Sequence, residues 1–228
     1  MRRLLRRGAG GSPAAGVAAL ATLATLVAGA RPSPGAGGPL RAVTAVEFPR
    51  ETITMTVDSA LVSIHGVYEF RNNLLRDVEL PVTFPFAVDE SADYPHAVAV
   101  FVRADGDSVP VPFEERRPAH EVAFCLTLPA SRTLHWEVRY RQHVHDALGR
   151  YVLTSARAWG KPLESGDYRF VLPRVLRVVE AWPEPEREEL DGERRVLSAH
   201  REAFLPDREM QIRWAPANEE PPPGVSGR

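Results

Sequence analysis

Two closely spaced histidines form the most metal-like pattern in the sequence. His143 and His145 lie two positions apart, so on a β-strand both imidazoles would point to one side, where a third ligand completes a zinc site. The alternation that begins at Leu134, however, puts both histidines on the same face as Arg139 and Arg141, and a cationic surface repels a metal ion. We therefore expect a solvated cationic face here in preference to a metal site.

A second candidate for chemistry is an acidic cluster in the predicted loop before Tyr94. Asp89, Glu90 and Asp93 offer carboxylate oxygens, which calcium prefers as ligands. Loops also carry acids simply to remain soluble, and this second interpretation is the one we prefer. The sequence therefore predicts no resident metal or other cofactor.

Nucleophilic catalysis has little support in the sequence. No Gly-x-Ser-x-Gly elbow lies in the body of the chain, and no glycine-rich phosphate loop precedes a helix. Cys125 lies in the apolar run 122–128, which predicts a buried and inert thiol. We expect a protein that is not an enzyme. The alternative is an extracytoplasmic hydrolase or metal-dependent enzyme that uses the His143 and His145 pair or the acidic loop.

The best candidate for binding is the segment around Trp159. Lys161 is the single lysine of the chain, and with Arg157 it flanks this tryptophan in a predicted loop. An exposed indole beside cations can bind a sugar ring, an acidic polymer or a partner protein. The alternative, which the tendency of aromatic side chains to bury their area favours, is that Trp159 folds back and closes the end of the domain.

The elements that position these residues are predicted to be β-strands. Apolar and polar residues alternate with period two in segments 53–57, 62–71, 134–141 and 209–214, as in strands with one buried face. Two near-continuous apolar runs, 97–102 and 122–128, predict strands covered on both faces. The charged segment 184–193 has almost no apolar face, which predicts a loop or a single turn.

Turn-forming residues separate these strands and set the fold class. Such residues occur at 72–73, 105–107, 146–149, 160–162, 164–167 and 191–192. The pattern predicts an all-β fold, an antiparallel β-sandwich over residues 43–216. One elaborated sandwich and two packed small β-domains, divided near 129–131, both fit this length. We prefer one sandwich, because a three-residue gap at 129–131 suits a hairpin.

The N-terminus predicts export. Arg2, Arg3, Arg6 and Arg7 precede an apolar stretch that ends in Ala28-Gly29-Ala30, which fits a signal peptide over residues 1–30 with cleavage after Ala30. The alternative is an uncleaved membrane anchor, since residues 8–30 give 23 positions without a charge. We expect a periplasmic or secreted protein, with membrane contact only if this segment stays uncleaved.

Composition excludes several classes of protein. The 228 residues carry a net charge of −2, and without the first thirty residues, which hold four arginines and no acid, the charge becomes −6. This balance excludes non-specific binding of nucleic acid. The lone cysteine excludes a disulfide scaffold. Proline-rich and polar composition predicts a flexible linker at 31–42 and a disordered tail at 217–228.

Four segments carry a resemblance to known domains. Segment 67–73 ends in Asn72-Asn73, segment 78–86 contains Phe84-Pro85, and segments 136–140 and 151–159 follow in order. This order resembles exported bacterial β-domains of unknown function. It is also loosely similar to the VIT domain found in front of von Willebrand A modules, in which a strand ending in Asn leads into a Phe-Pro motif. The resemblance implies a sandwich architecture and no activity. We expect a non-catalytic cell-envelope or secreted domain that interacts with an envelope protein or polysaccharide.

Overall fold

The computed structural model describes residues 45–104 and 106–218, and this part of the chain is all-β. Short 3₁₀ segments occur at Arg117–Ala119 and Thr154–Trp159. The strands are β1 Val46–Asp58, β2 Leu61–Asn72, β3 Val78–Pro85, β4 His96–Ala104, β5 Asp107–Pro110, β6 Glu114–Arg116, β7 Glu121–Leu128, β8 Thr133–His143, β9 Leu148–Tyr151, β10 Leu163–Pro173, β11 Leu176–Trp182, β12 Arg187–Asp191, β13 Arg194–Phe204 and β14 Met210–Pro216.

The strands form one large sheet and two small ones. The large sheet has eight strands in the order β12-β13-β10-β1-β2-β8-β4-β5, and the small sheets are β11-β14-β9 and β3-β7-β6. Neighbouring strands are antiparallel except for β1 and β10, which run parallel from the pair Arg50 and Ser165 to the pair Thr56 and Val171. The sandwich prediction is thus correct for the fold class, and the parallel pair is a feature that the sequence pattern did not predict.

The period-two segments bury one face, as predicted. Ile53, Met55 and Val57 of β1 are fully buried, and their neighbours Thr54 and Thr56 are not. The same alternation runs through β2, β8 and β14. These inward side chains form one hydrophobic cluster with side chains of both small sheets. Because burying apolar area is the main stabilising term, this shared cluster holds the three sheets together.

Asn72 joins the large sheet to the β3-β7-β6 sheet. Its side chain is buried, and its amide nitrogen donates hydrogen bonds to the carbonyl oxygens of Arg76, Leu128 and Pro129 at 2.9, 3.0 and 3.1 Å. Its carbonyl oxygen accepts from the backbone N–H of Leu74 at 2.9 Å. The side chain therefore provides hydrogen-bond partners for backbone groups that lie near the ends of β2 and β7.

Two predicted turns or loops are strands instead. The charged segment 184–193, predicted as a loop, contains β12, an exposed edge strand whose pairing with β13 uses backbone groups and needs no apolar face. Segment 164–167, predicted as a turn, lies inside β10. Gly166 fits there because the Tyr168 ring lies over it, with the hydroxyl only 2.3 Å from where a Cβ of residue 166 would be.

The two apolar runs were wrongly predicted to be covered on both faces. In β7 only every second residue, from Val122 to Leu128, is buried, and in β4 only Val100 is buried. Cys125 is consequently exposed and not a core thiol; it faces Glu79 of β3. The predicted hairpin at 129–131 is also wrong, because this turn connects β7 to β8, which belong to different sheets.

Several predicted segments lie outside the described residues. They are the signal peptide 1–30 with its cleavage after Ala30, the linker 31–42, and most of the tail 217–228. Within residues 45–104 and 106–218, no helix has the length and hydropathy needed to cross a bilayer.

Candidate functional site

The predicted binding segment is a 3₁₀ turn that lies beside the aromatic end of the large sheet. Thr154–Trp159 ends at Gly160, whose φ of 69° is a left-handed conformation that suits glycine. The half-buried Trp159 ring packs against Phe70 at 4.7 Å and Phe48 at 5.7 Å between ring centroids. Trp159 thus does fold back onto the domain, and it also lines two cavities.

The first of these cavities, here called the outer cleft, combines an aromatic wall with charged groups. Its volume is about 180 Å³, and it is lined by Val46, Glu47, Phe48, Pro49, Trp159, Lys161, Pro162 and Glu164. Lys161 donates a hydrogen bond to Glu47 at 2.8 Å, and Arg71 pairs with Glu164 at 3.1 Å and with Glu47 at 3.5 Å. The hydrogen bond from Lys161 is the main reason why the pKa of Glu47 is lowered; a hydrogen bond from Asn73 and the charges of Lys161 and Arg71 add to this effect, and burial opposes it.

The structure places the three predicted binding residues differently. Trp159 and Lys161 share the outer cleft, whereas Arg157 lies outside it and donates to the carbonyl oxygen of Pro206 at 3.3 Å. Arg157 therefore secures the 3₁₀ turn to the loop before β14. Arg157 is exposed, and its place in a binding surface stays a prediction.

The second cavity, here called the inner cavity, lies behind the same two rings. Its volume is about 60 Å³, enough for a few water molecules or a small group. Phe48 and Trp159 line both cavities and so stand between them. Further aromatic side chains line the inner cavity, and all are buried: Tyr68, Phe70, Phe84, Trp136 and Tyr151.

Of the residues that the structure describes, Glu51 is the only acid that lines the inner cavity. It is 4% exposed, and its Oε1 atom accepts a hydrogen bond from the Tyr168 hydroxyl at 2.8 Å. Burial raises the pKa of Glu51 to about 8, and the hydrogen bond from Tyr168 offsets part of this effect. Among the described residues, no Lys, Arg or His forms an ion pair with it. Glu51 was missed at the sequence level, although the alternation of Ile53, Met55 and Val57, extended back by two, puts it on the inward face.

Two further buried tyrosines line the inner cavity with Glu51, Tyr68 on the neighbouring strand β2 and Tyr151 on β9 of a small sheet. The Tyr68 and Tyr151 hydroxyls are 2.8 Å apart, and burial is the main reason why the pKa of each lies well above its usual value. Gly66 gives Tyr68 its position, because a Cβ there would lie 2.1 Å from the Tyr68 hydroxyl. These phenols therefore remain neutral donors and acceptors at neutral pH.

A second buried carboxylate, Glu137, lies on the opposite face of the large sheet. The strand pattern predicted it as an exposed residue, yet its side chain is fully buried beneath four partners. These are His65 at 2.6 Å, Arg139 at 3.0 Å, Ser108 at 3.3 Å and Arg103 at 3.4 Å. Burial acts to raise the pKa of Glu137, but the hydrogen bonds and charges of His65 and Arg139 outweigh it and lower the pKa to about 2.

The other candidate metal ligands do not converge. The His143 ring stacks on His96 at 5.3 Å, and His145 hydrogen-bonds Asp93 at 2.8 Å. Both histidines are exposed, on the face that carries Arg139 and Arg141. Asp89 of the acidic loop pairs with Arg150. In the part of the chain that the structure describes, no group of three or more His, Cys, Asp or Glu side chains could hold a metal ion.

Comparison with known proteins identifies a related fold. No protein-family model and no curated protein matches the sequence. The fold is similar to that of a candidate nutrient binding protein from Legionella pneumophila, with a TM-score of 0.53 and 14% identity over 74% of this chain and 66% of that one. An M1 zinc metallopeptidase from Deinococcus radiodurans has a TM-score of 0.48 and 8% identity, and the match covers 42% of its length. The match thus leaves a third of the first protein and more than half of the second uncovered.

Proposed function

We propose that this chain is an exported, non-catalytic binding domain of the cell envelope whose outer cleft takes a saccharide. The observation that carries the proposal is the position of the Trp159 ring beside Glu47, Lys161 and Glu164 in one open cleft. A sugar presents an apolar C–H face, which packs on an aromatic ring, and hydroxyl groups, which hydrogen-bond to carboxylates and ammonium groups.

The charges of the outer cleft support binding over catalysis. Glu47 is held by Lys161 and Arg71, and Glu164 is held by Arg71. Carboxylates that are ion-paired and ionised serve as hydrogen-bond acceptors, whereas a general acid needs a raised pKa beside its substrate. The arrangement therefore fits recognition of hydroxyl groups.

The proposal also includes export from the cytoplasm and an envelope polysaccharide as the class of ligand. The basic and apolar sequence of residues 1–30 supports transfer out of the cytoplasm, where envelope polysaccharides are available as ligands. The similar fold in a candidate nutrient binding protein is in keeping with a binding role, although a shared fold by itself assigns no ligand.

The test is a binding screen with the full chain. Soluble oligosaccharides from envelope polymers are titrated calorimetrically against the wild-type protein, Trp159→Phe and Lys161→Met. We expect one class of saccharide to bind, and each variant to weaken it by about tenfold or more, because each loses one cleft contact.

Trp182→Phe is the matched control. Trp182 also packs against an aromatic ring, that of Phe204 at 6.0 Å, but it lies outside both cavities. It should bind saccharide as the wild type does. Absence of saccharide binding by the wild type, or equal binding by Trp159→Phe, would reject the proposal.

A further inference from the structure

The position of Glu51 in the sheet explains why its carboxyl group has room beside it. On β1 it lies between Tyr68 of β2 and Gly166 of β10, which are its cross-strand neighbours. Because residue 166 has no side chain, the Tyr168 ring occupies that space and its hydroxyl reaches Glu51. Tyr168 thereby holds one carboxyl oxygen of Glu51, and the carboxyl group lines the inner cavity.

Seven of the fifteen residues that line the inner cavity next to this carboxyl group are aromatic, and Glu51, Thr83 and Ser155 are its polar residues. The rings of Phe48, Tyr68, Phe70, Trp136 and Trp159 are among its walls. The face of an aromatic ring carries partial negative charge, so a group of rings attracts a cation, and the attraction is stronger where water is excluded. A carboxylate in the same cavity supplies the full countercharge.

Nothing in the described protein provides that cation. Among the described residues, no basic side chain lines the inner cavity, and Arg201 of β13, which lies opposite Gly166, is paired with Glu186. A buried carboxyl group with one neutral hydrogen-bond partner and no counter-ion costs folding free energy, and such a group beside a cavity is a candidate for ligand binding.

We propose that the inner cavity binds the ammonium group of a small amine, with Glu51 as the counter-ion and the surrounding rings as an aromatic cage. The cavity volume of about 60 Å³ has room for a primary or singly methylated ammonium group. A free amine and the amino group of an amino sugar present this same chemistry. The proposal does not depend on saccharide binding in the outer cleft.

Binding of an ammonium group is coupled to a proton. The pKa of about 8 keeps Glu51 neutral at neutral pH when the cavity is empty, so an arriving cation displaces the carboxyl proton. The titratable groups that interact with Glu51 are Tyr168 of β10, Tyr68 of β2 and Tyr151 of β9; burial raises the pKa of all three. They remain neutral, so the affinity should rise with pH up to about pH 8 and then level off.

The experiment titrates methylammonium chloride into the ¹⁵N-labelled full chain in phosphate buffer, which contains no competing amine. Sodium chloride keeps the ionic strength constant, and methanol is the neutral probe of similar size. The backbone amide of Glu51 and the tryptophan indoles report binding by NMR. We expect methylammonium to bind about tenfold more tightly at pH 7 than at pH 6, and methanol not to bind.

Glu51→Gln is the decisive variant, because its amide oxygen still accepts the hydrogen bond from Tyr168 and the fold is kept. It should weaken methylammonium binding at least tenfold and abolish the pH dependence. Glu137→Gln, on the other face of the sheet, is the control and should bind as the wild type does. Equal binding of methanol, a pH-independent affinity, or full affinity in Glu51→Gln would overturn the proposal.

A second arm separates the two sources of the amine. The affinities of glucosamine, glucose and methylammonium are each measured for the wild type and for Lys161→Met. Methylammonium binding that Lys161→Met leaves unchanged supports the inner cavity whether or not any saccharide binds. Binding of glucosamine and glucose with equal affinity, with no response to methylammonium, would support the outer cleft and reject the amine site.

Discussion

Glu51 and Glu137 are both buried carboxyl groups, yet their surroundings move their pKa values in opposite directions. Glu51 has one neutral partner, and its pKa is raised to about 8. Glu137 has cationic partners that outweigh its burial, and its pKa is lowered to about 2. At neutral pH Glu51 is therefore a neutral acid that faces a cavity, whereas Glu137 is an ionised carboxylate that is paired with arginine side chains.

These shifts predict opposite effects of pH on stability. Between pH 4.5 and about 8, Glu51 keeps its proton in the folded chain and loses it in the unfolded chain, so its contribution lowers the free energy of unfolding as pH rises. Glu51→Gln should remove this loss, at roughly 1.4 kcal/mol per pH unit across the window. Urea denaturation of both proteins at pH 5, 6.5 and 8 measures it.

Glu137→Gln, measured in the same urea denaturation series, tests the carboxyl group whose pKa is lowered. The stability that Glu137 contributes is present above pH 4.5 and lost as pH falls towards 2, so this variant should differ from the wild type by a constant amount from pH 5 to 8. A constant difference between Glu51→Gln and the wild type over that range would contradict the raised pKa of Glu51.

At the scale of single elements, the alternation of apolar and polar residues predicted some strands correctly. Other strands form through backbone pairing alone, and their sequences show no such alternation. The four period-two segments were predicted correctly because each has one face in the core. β12 was not, since an exposed edge strand has charged residues on both faces. β10 contains Gly166, which resembles a turn residue until the Tyr168 ring is known to cover it.

The candidate site shows the same limit. Trp159 and Lys161 could be identified from the residue types in one short segment. Glu51 and the rings that surround the inner cavity come from strands far apart in the sequence, and their meeting depends on sheet order and register. A single sequence specifies the inward face of each strand but not which inward faces meet.

Asn72 provides a test of how the elements are joined. Asn72→Ala leaves the carbonyl oxygens of Arg76, Leu128 and Pro129 without their side-chain donor, so it should lower the free energy of unfolding by about 2–4 kcal/mol. Chemical denaturation measures the loss. Asp77→Ala removes an exposed hydrogen bond to Ala130 at the same junction and should cost less than about 1 kcal/mol. Equal losses in the two variants would show that the buried amide has no special role.

At the scale of the whole molecule, residues of all three sheets contribute to one hydrophobic cluster. The single elaborated sandwich is therefore the organisation that we favour over two small domains, and the resemblance to VIT domains stays a prediction about architecture. Both proposed sites lie at one end of this cluster, where Phe48 and Trp159 separate the outer cleft from the inner cavity.

Export can be tested on the protein that is recovered from fractionated cells. We expect the mature chain to begin at Arg31 and to be found in the soluble extracytoplasmic fraction, because cleavage after Ala30 removes the basic and apolar segment. Cell fractionation followed by intact mass measurement and N-terminal sequencing determines this. A full-length chain in the membrane fraction would instead identify residues 8–30 as an anchor and turn the search towards membrane-bound partners.

The parallel pairing of β1 with β10 has a consequence for how the chain acquires its structure. Arg50 meets Ser165, 115 positions later, so the middle of the large sheet is completed only after most of the polypeptide has left the ribosome. Contacts between residues so far apart form slowly, because a long loop must close before they are made. β1 therefore stays unpaired on one side until β10 has been synthesised, and in the export that we propose this delay keeps the chain in the unfolded form that the translocation machinery threads.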